Sequence, residues 1–111
     1  MRVSTRHIRA LRQERDRLVK RQLSCRQRIF DFKSSVTKYQ GSLRSNAYEC
    51  EEDREFEVDY IETLNDKIQW NIDKSKELTN DIQQKDIEIA SEEERIALEH
   101  ERSRQEAVSC Q

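Results

Sequence analysis

A chain of 111 residues with no proline and a single glycine, Gly41, has very few ways to turn. Tight hairpin turns need residues that accept positive φ or that pre-set a bend, and a β-rich fold needs many of them. That class is therefore excluded. A glycine loop that cradles phosphate is excluded as well, because no second glycine exists to build it. Forty per cent of the residues are charged and only 33% are hydrophobic, too little apolar material for a spherical core. The remaining class is all-α, a long-helix coiled coil.

The apolar spacing supports that class. From Ile8 the residues Ile8, Leu11, Arg15, Leu18, Gln22, Cys25, Ile29, Phe32, Val36, Tyr39 and Leu43 recur at alternating steps of three and four. This is the a/d pattern of a heptad, and strand alternation fits nowhere along it. The pattern resumes as Ile61, Leu64, Ile68, Asn71, Ser75, Leu78, Ile82, Lys85, Ile89, Glu92 and Ile96. The apolar members form the helix-packing seam. Arg15, Gln22 and Asn71 are polar residues at seam positions, where such residues cost stability and fix register or partner number.

The two stretches are out of phase, since a positions of the first become d positions of the second. The phase changes beside Gly41, and the charge changes sign in the same place. Residues 1–44 carry 13 Lys or Arg against three acids, and residues 45–111 carry eight against 20. These signals mark a joint near residues 40–46. The chain then divides into a basic coiled-coil helix over 1–40, a joint or turn over 41–46, and an acidic coiled-coil helix over 47–111. Polar residues at seam positions beyond Ile96 predict fraying after about residue 97. Asn46 and Glu49 have the spacing of a capping box, which would restart a helix there. A glycine inside a helix costs only about 1 kcal/mol relative to alanine, so the joint can also be a flexible point. Two architectures stand level: one continuous helix, roughly 150 Å long at 1.5 Å per residue, or an antiparallel helical hairpin.

Charge favours antiparallel pairing in either case. The block Glu49, Glu51, Glu52, Asp53, Glu55, Glu57 and Asp59 is almost unrelieved, and its like charges at i,i+4 oppose a solitary helix. It forms an acidic face that needs basic company. Arg2, Arg6, Arg9, Arg12, Arg17, Lys20, Arg21, Arg26 and Arg28 form the complementary basic face. A hairpin turning near residue 43 would lay Arg26, Arg28, Lys33 and Lys38 along the acidic block. An antiparallel dimer would instead set residues 2–28 against the tail around Glu92, Glu93, Glu94, Glu99 and Glu101. Ile61 at a with Leu64 at d points the other way, toward a parallel two-stranded coil. A heteromeric partner with the opposite charge pattern would satisfy both signals. Partner helices are thus expected, and a heteromer is favoured over a homomer.

No catalytic constellation emerges, so a non-enzymatic role without cofactor is expected. His7 and His100 lie in opposite halves, and the neighbours of His100 point away from it around the helix. The three cysteines, Cys25, Cys50 and Cys110, are widely spaced with no CxxC. Neither a zinc site nor a disulfide framework follows, and reduced thiols in a cytoplasmic or nuclear protein are expected. No apolar run approaches the roughly 20 residues of a membrane span. Residues 1–13 carry four arginines and no acid, like a mitochondrial presequence, but the apolar spacing runs on through them into the structural helix.

Two features remain for function. The basic stretch could neutralise phosphates or an acidic filament surface such as a microtubule. Nucleic acid is the less favoured of these, because heptads begin inside the basic stretch and no asparagine precedes residue 46 to read a base edge. Trp70 falls at c and Ile72 at e, outside a two-stranded seam. They either widen the apolar stripe for a third helix or anchor another protein.

The segments Arg6-His7-Ile8-Arg9 and Arg17-Leu18-Val19-Lys20 resemble the N-terminal stretch of the tubulin-binding cofactor A family. The resemblance covers about 15 residues and implies a compact helical bundle with an early hairpin. The family's Tyr-Asp-x-Lys-Lys-Gln signature is missing here. Tyr48-Glu49-Cys50-Glu51-Glu52-Asp53 reverses its charges.

The leading expectation is a coiled-coil scaffold subunit assembling with partner helices, with the cytoskeleton as one setting. The alternatives are a helical-bundle chaperone or adaptor for a cytoskeletal protein, and a nucleic-acid binder using the basic half.

Overall fold

A computed structural model of the chain describes the backbone of residues 2–44 and 51–109, and the side chains of residues 5–44 and 51–108. All described residues are helical. Helix α1 spans Arg2–Arg44 and helix α2 spans Glu51–Ser109, and together they form an antiparallel helical hairpin. Glu51, Glu52 and Asp53 occupy the first turn of α2, and Arg44 occupies the last turn of α1. Both placements complement the helix dipole.

α1 does not stop at Gly41. It continues to Arg44, so the chain reverses between Arg44 and Glu51, slightly later than the glycine and the phase change suggest. A helical glycine costs about 1 kcal/mol, too little to end a helix whose other face is packed. The Asn46–Glu49 capping box and the connection itself lie outside the described residues.

The hairpin comprises two compact units. In the unit Arg21–Leu78, Val36, Ile61, Leu64 and Ile68 form a buried cluster, flanked by Ile29, Phe32, Tyr39, Leu43 and Ile72. Tyr39 meets Tyr60 edge to face at 5.1 Å, and the Lys67 ammonium lies 5.9 Å from the centroid of the Phe32 ring. Further along, the Gln22 side-chain amide donates to the backbone carbonyl of Ser75. As residue numbers rise on α1 they fall on α2, which is the antiparallel register. Cys25 and Leu78 are buried in this unit as well.

In the unit formed by residues 1–20 and 79–111, Ile8 and Leu11 are buried, and Leu18, Ile82, Ile89 and Ile96 are half-buried. α2 stays helical to Ser109, and residues 97–108 are exposed throughout.

The acidic block does not lie against Arg26, Arg28 and Lys33 as a turn near residue 43 would require. Phe32 already faces Lys67, and Arg28 shares a cleft with Trp70 and Lys74. Moving a turn by one residue moves every facing partner by two, so a reversal after Arg44 carries these cations past the block.

Candidate interaction surfaces

The seam is the first surface. Every apolar residue assigned to it is buried or half-buried: Ile8, Leu11, Leu18, Cys25, Ile29, Phe32, Val36 and Tyr39 on α1, and Ile61, Leu64, Ile68, Leu78 and Ile82 on α2. The polar seam residues resolve in three ways. Arg15 is half-buried and its guanidinium pairs with Asp86. Gln22 is buried and bonds across the seam at 3.1 Å. Asn71 is buried, and its amide donates to the carbonyl of Lys67 one turn back at 2.8 Å. Its Oδ1 has no hydrogen-bond partner among the described residues.

Some of the basic N-terminal residues find acids within the same chain. Arg12 meets Glu93 at 2.7 Å and Arg15 meets Asp86, while in the converse sense Lys85 of α2 meets Glu14 of α1 at 2.7 Å. Hydrogen bonding and the charge of Lys85 hold the Glu14 carboxyl below its ordinary range, and the same contact raises the Lys85 ammonium. Arg95 holds Glu92 down in the same way. The pairing sketched for an antiparallel dimer is thus made, in part, inside one hairpin. Water screens such exposed pairs, so these contacts select orientation more than they hold the fold together. Arg6, Arg9, Arg17, Lys20, Arg21, Arg26 and Arg28 are exposed, and the side chain of Arg2 lies outside the described residues.

The acidic face is narrower than its sequence suggests. Glu51, Glu52, Asp53, Glu55 and Asp59 are exposed. Glu57 occupies the next d position of the α2 heptad and is half-buried, with its Oε2 unpartnered among the described residues. It therefore leaves the outward set. No ion pair joins the exposed members to a cation among the described residues. Glu49 lies outside them.

Trp70 and Ile72 part company. Ile72 is half-buried against the core cluster, because an e position flanks the seam and its side chain folds over it. Trp70 is 59% exposed and borders an open cleft of about 200 Å³ with Ser24, Cys25, Leu78 and the cations Arg21, Arg28 and Lys74. Trp70 lies outside the two-stranded seam, and sequence reasoning missed its company. The signal was available, since Arg21, Arg28 and Lys74 all fall at g, beside c.

It also missed a second exposed set. Leu23 and Phe30 are exposed on α1, and Phe56 on α2. Leu23 and Phe30 share position b, seven residues apart. Phe56 and Trp70 share position c, two heptads apart. His7 and His100 are both exposed, and no group of three metal-ligating side chains converges among the described residues. No described helix is long and apolar enough to cross a membrane.

No protein-family model matches this chain, and no curated protein or solved structure matches it.

Proposed function

We propose that this chain is a non-enzymatic coiled-coil structural subunit that assembles with partner helices in a larger complex, with a cytoplasmic, cytoskeletal complex as the candidate setting. One observation carries the reading: four of the nine large apolar residues exposed among the described residues, Leu23, Phe30, Phe56 and Trp70, repeat in heptad register on their own helices. Singly scattered surface apolar residues are ordinary. Leu23 with Phe30, and Phe56 with Trp70, recur at whole-heptad intervals, which is the spacing that helix packing uses. The partners are helices, from a second copy or from another protein. Antiparallel pairing of α1 and α2 overrides the parallel preference of Ile61 at a with Leu64 at d, so that conflict no longer argues for a heteromer.

The internal charge pairs Arg12–Glu93 and Lys85–Glu14 favour a second reading, a self-sufficient helical adaptor or chaperone for a cytoskeletal protein. The nucleic-acid reading is weakened, since Arg12 and Arg15 already face Glu93 and Asp86.

Size fractionation of the tagged full chain in native cell extract tests the reading. A structural subunit elutes with a discrete assembly well above its own 13.4 kDa mass, and L23E/F30E together with W70E shifts it to free chain. Wild type eluting as free chain would overturn the reading.

A further inference from the structure

We infer that the Trp70 cleft docks the acidic start of α2 from a second copy of this chain, forming a two-fold symmetric antiparallel dimer. The inference rests on the helix-assembly reading above and names its partner. Trp70 stands exposed, with the cations Arg21, Arg28 and Lys74 on its inner side and Asp73 and Glu77 on its outer side. Among the described residues the one ion pair that these cations make is Lys74 with Glu77, 3.4 Å away on the same helix. The same helix carries the converse surface: Phe56, 70% exposed, amid Glu52, Asp53 and Glu55, which have no cation among the described residues. The two surfaces cannot meet within one chain. They share position c of one straight helix, 14 residues apart, or about 21 Å at 1.5 Å per residue.

A second copy brings them together in both directions at once. Thr63 lies midway at the same c position. Two α2 helices packed antiparallel about Thr63 set each Phe56 opposite the other copy's Trp70. Across the adjacent g positions, each Asp53 then faces the other copy's Lys74. An isologous two-fold interface requires this kind of self-complementarity, with one residue contacting another and the converse on the far side. Arg21 and Arg28, also at g, stand on the inner side of the same face and add positive charge where the partner's carboxylates arrive. Asp66 and Asp73 at f lie about 80° from the centre of the g/c face; Asp73 borders Trp70 on its outer flank, where water screens the carboxylate.

The test is sedimentation equilibrium of the purified full chain, with the emission of its single tryptophan followed against concentration. Circular dichroism of each variant verifies helicity. The wild type is expected to dimerise, with Trp70 emission moving to shorter wavelength as it does. W70A, K74E and D53K are each expected to weaken the dimer roughly tenfold or more. D53K/K74E, which swaps the charges, is expected to restore most of the loss. A wild type that stays monomeric overturns the inference, as does a dimer indifferent to W70A and K74E, or a double variant no tighter than the singles. A monomer whose Trp70 emission instead responds to duplex RNA at low salt reassigns the cleft and also overturns it. If the purified chain is monomeric yet still elutes with an assembly in extract, only this inference falls. If both fail, the assembly reading falls with it.

Discussion

Gln22 of α1 donates from its side-chain amide to the main-chain carbonyl of Ser75 in α2, 3.1 Å across the seam. A carbonyl inside a helix already accepts from its own i+4 amide, so this contact is an added bond rather than a rescue. Its effect is on register, since a slip of α1 along α2 would bury the amide against apolar neighbours without an acceptor. Gln22→Leu is therefore expected to raise stability by roughly 1–2 kcal/mol through added apolar burial, while loosening the choice of register. Thermal melts and hydrogen exchange on the variant check both halves. A variant less stable than wild type would show that the bond outweighs the burial.

Asn71 makes the same comparison without a cross-helix bond. It is 4% exposed, its amide serves its own helix, and its Oδ1 has no partner among the described residues. An unsatisfied buried acceptor costs about 1–3 kcal/mol. Asn71→Leu should stabilise the hairpin by about that much, more than Gln22→Leu does. Chemical denaturation of both variants, compared at equal slope, gives the order.

Among the described residues Leu78 is the most deeply buried side chain, at 2% exposure. Truncating a core leucine to alanine costs about 2–5 kcal/mol, a large fraction of the stability of a small domain. Leu78→Ala is expected to leave the chain mostly unfolded at 37 °C, whereas Leu98→Ala, at a site 60% exposed, should change the melt by no more than about 0.5 kcal/mol. Equal effects at the two sites would mean that Leu78 is not a core residue.

The seam was legible in the sequence because a heptad states its own geometry: once Ile8, Leu11 and the residues after them are read at a and d, their burial follows. What lies opposite what was not legible. That depends on where the chain reverses, and Gly41 drew the reversal toward itself although nothing about a helical glycine obliges a turn. The error then doubled along the helices, which is why Arg26 and Arg28 were set against the wrong acids. Glu57 was legible by the same rule, since it continues the d positions back from Leu64, but its charge grouped it with the outward acids. The fate of Ile72 turned on a narrower matter: position e is inside or outside according to how closely the second helix approaches, and one sequence does not state that distance.

Acid should loosen the unit formed by residues 1–20 and 79–111 through Glu14 and Glu92. Both carboxyls sit below their ordinary value near 4.5, Glu14 by hydrogen bonding and charge from Lys85, and Glu92 by the same from Arg95. A carboxyl depressed by folding contributes stability that is complete above its unfolded value and is lost as pH falls through the folded one. Lys85 is raised by Glu14 and Glu88, so its contribution persists to alkaline pH and is not part of the acid loss. The melting temperature at low salt should hold steady above about pH 5 and decline below it. Glu14→Gln should make that decline shallower, and parallel acid limbs for the variant and wild type would show that the Lys85 contact contributes nothing.

Gly41 offers the sharpest check on where the chain turns. It lies inside α1, and a Cβ added there would meet nothing within 4 Å. In a helix interior, replacing glycine by alanine removes backbone freedom from the unfolded chain and gains about 0.8–1 kcal/mol. Gly41→Ala is therefore expected to raise the melting temperature by several degrees and to increase helicity in the isolated chain. If Gly41 were instead the pivot of the hairpin, alanine would strain a left-handed backbone position and lower stability by more than that gain. The sign of one melting shift thus separates a helix that runs on to Arg44 from a chain that turns at its only glycine.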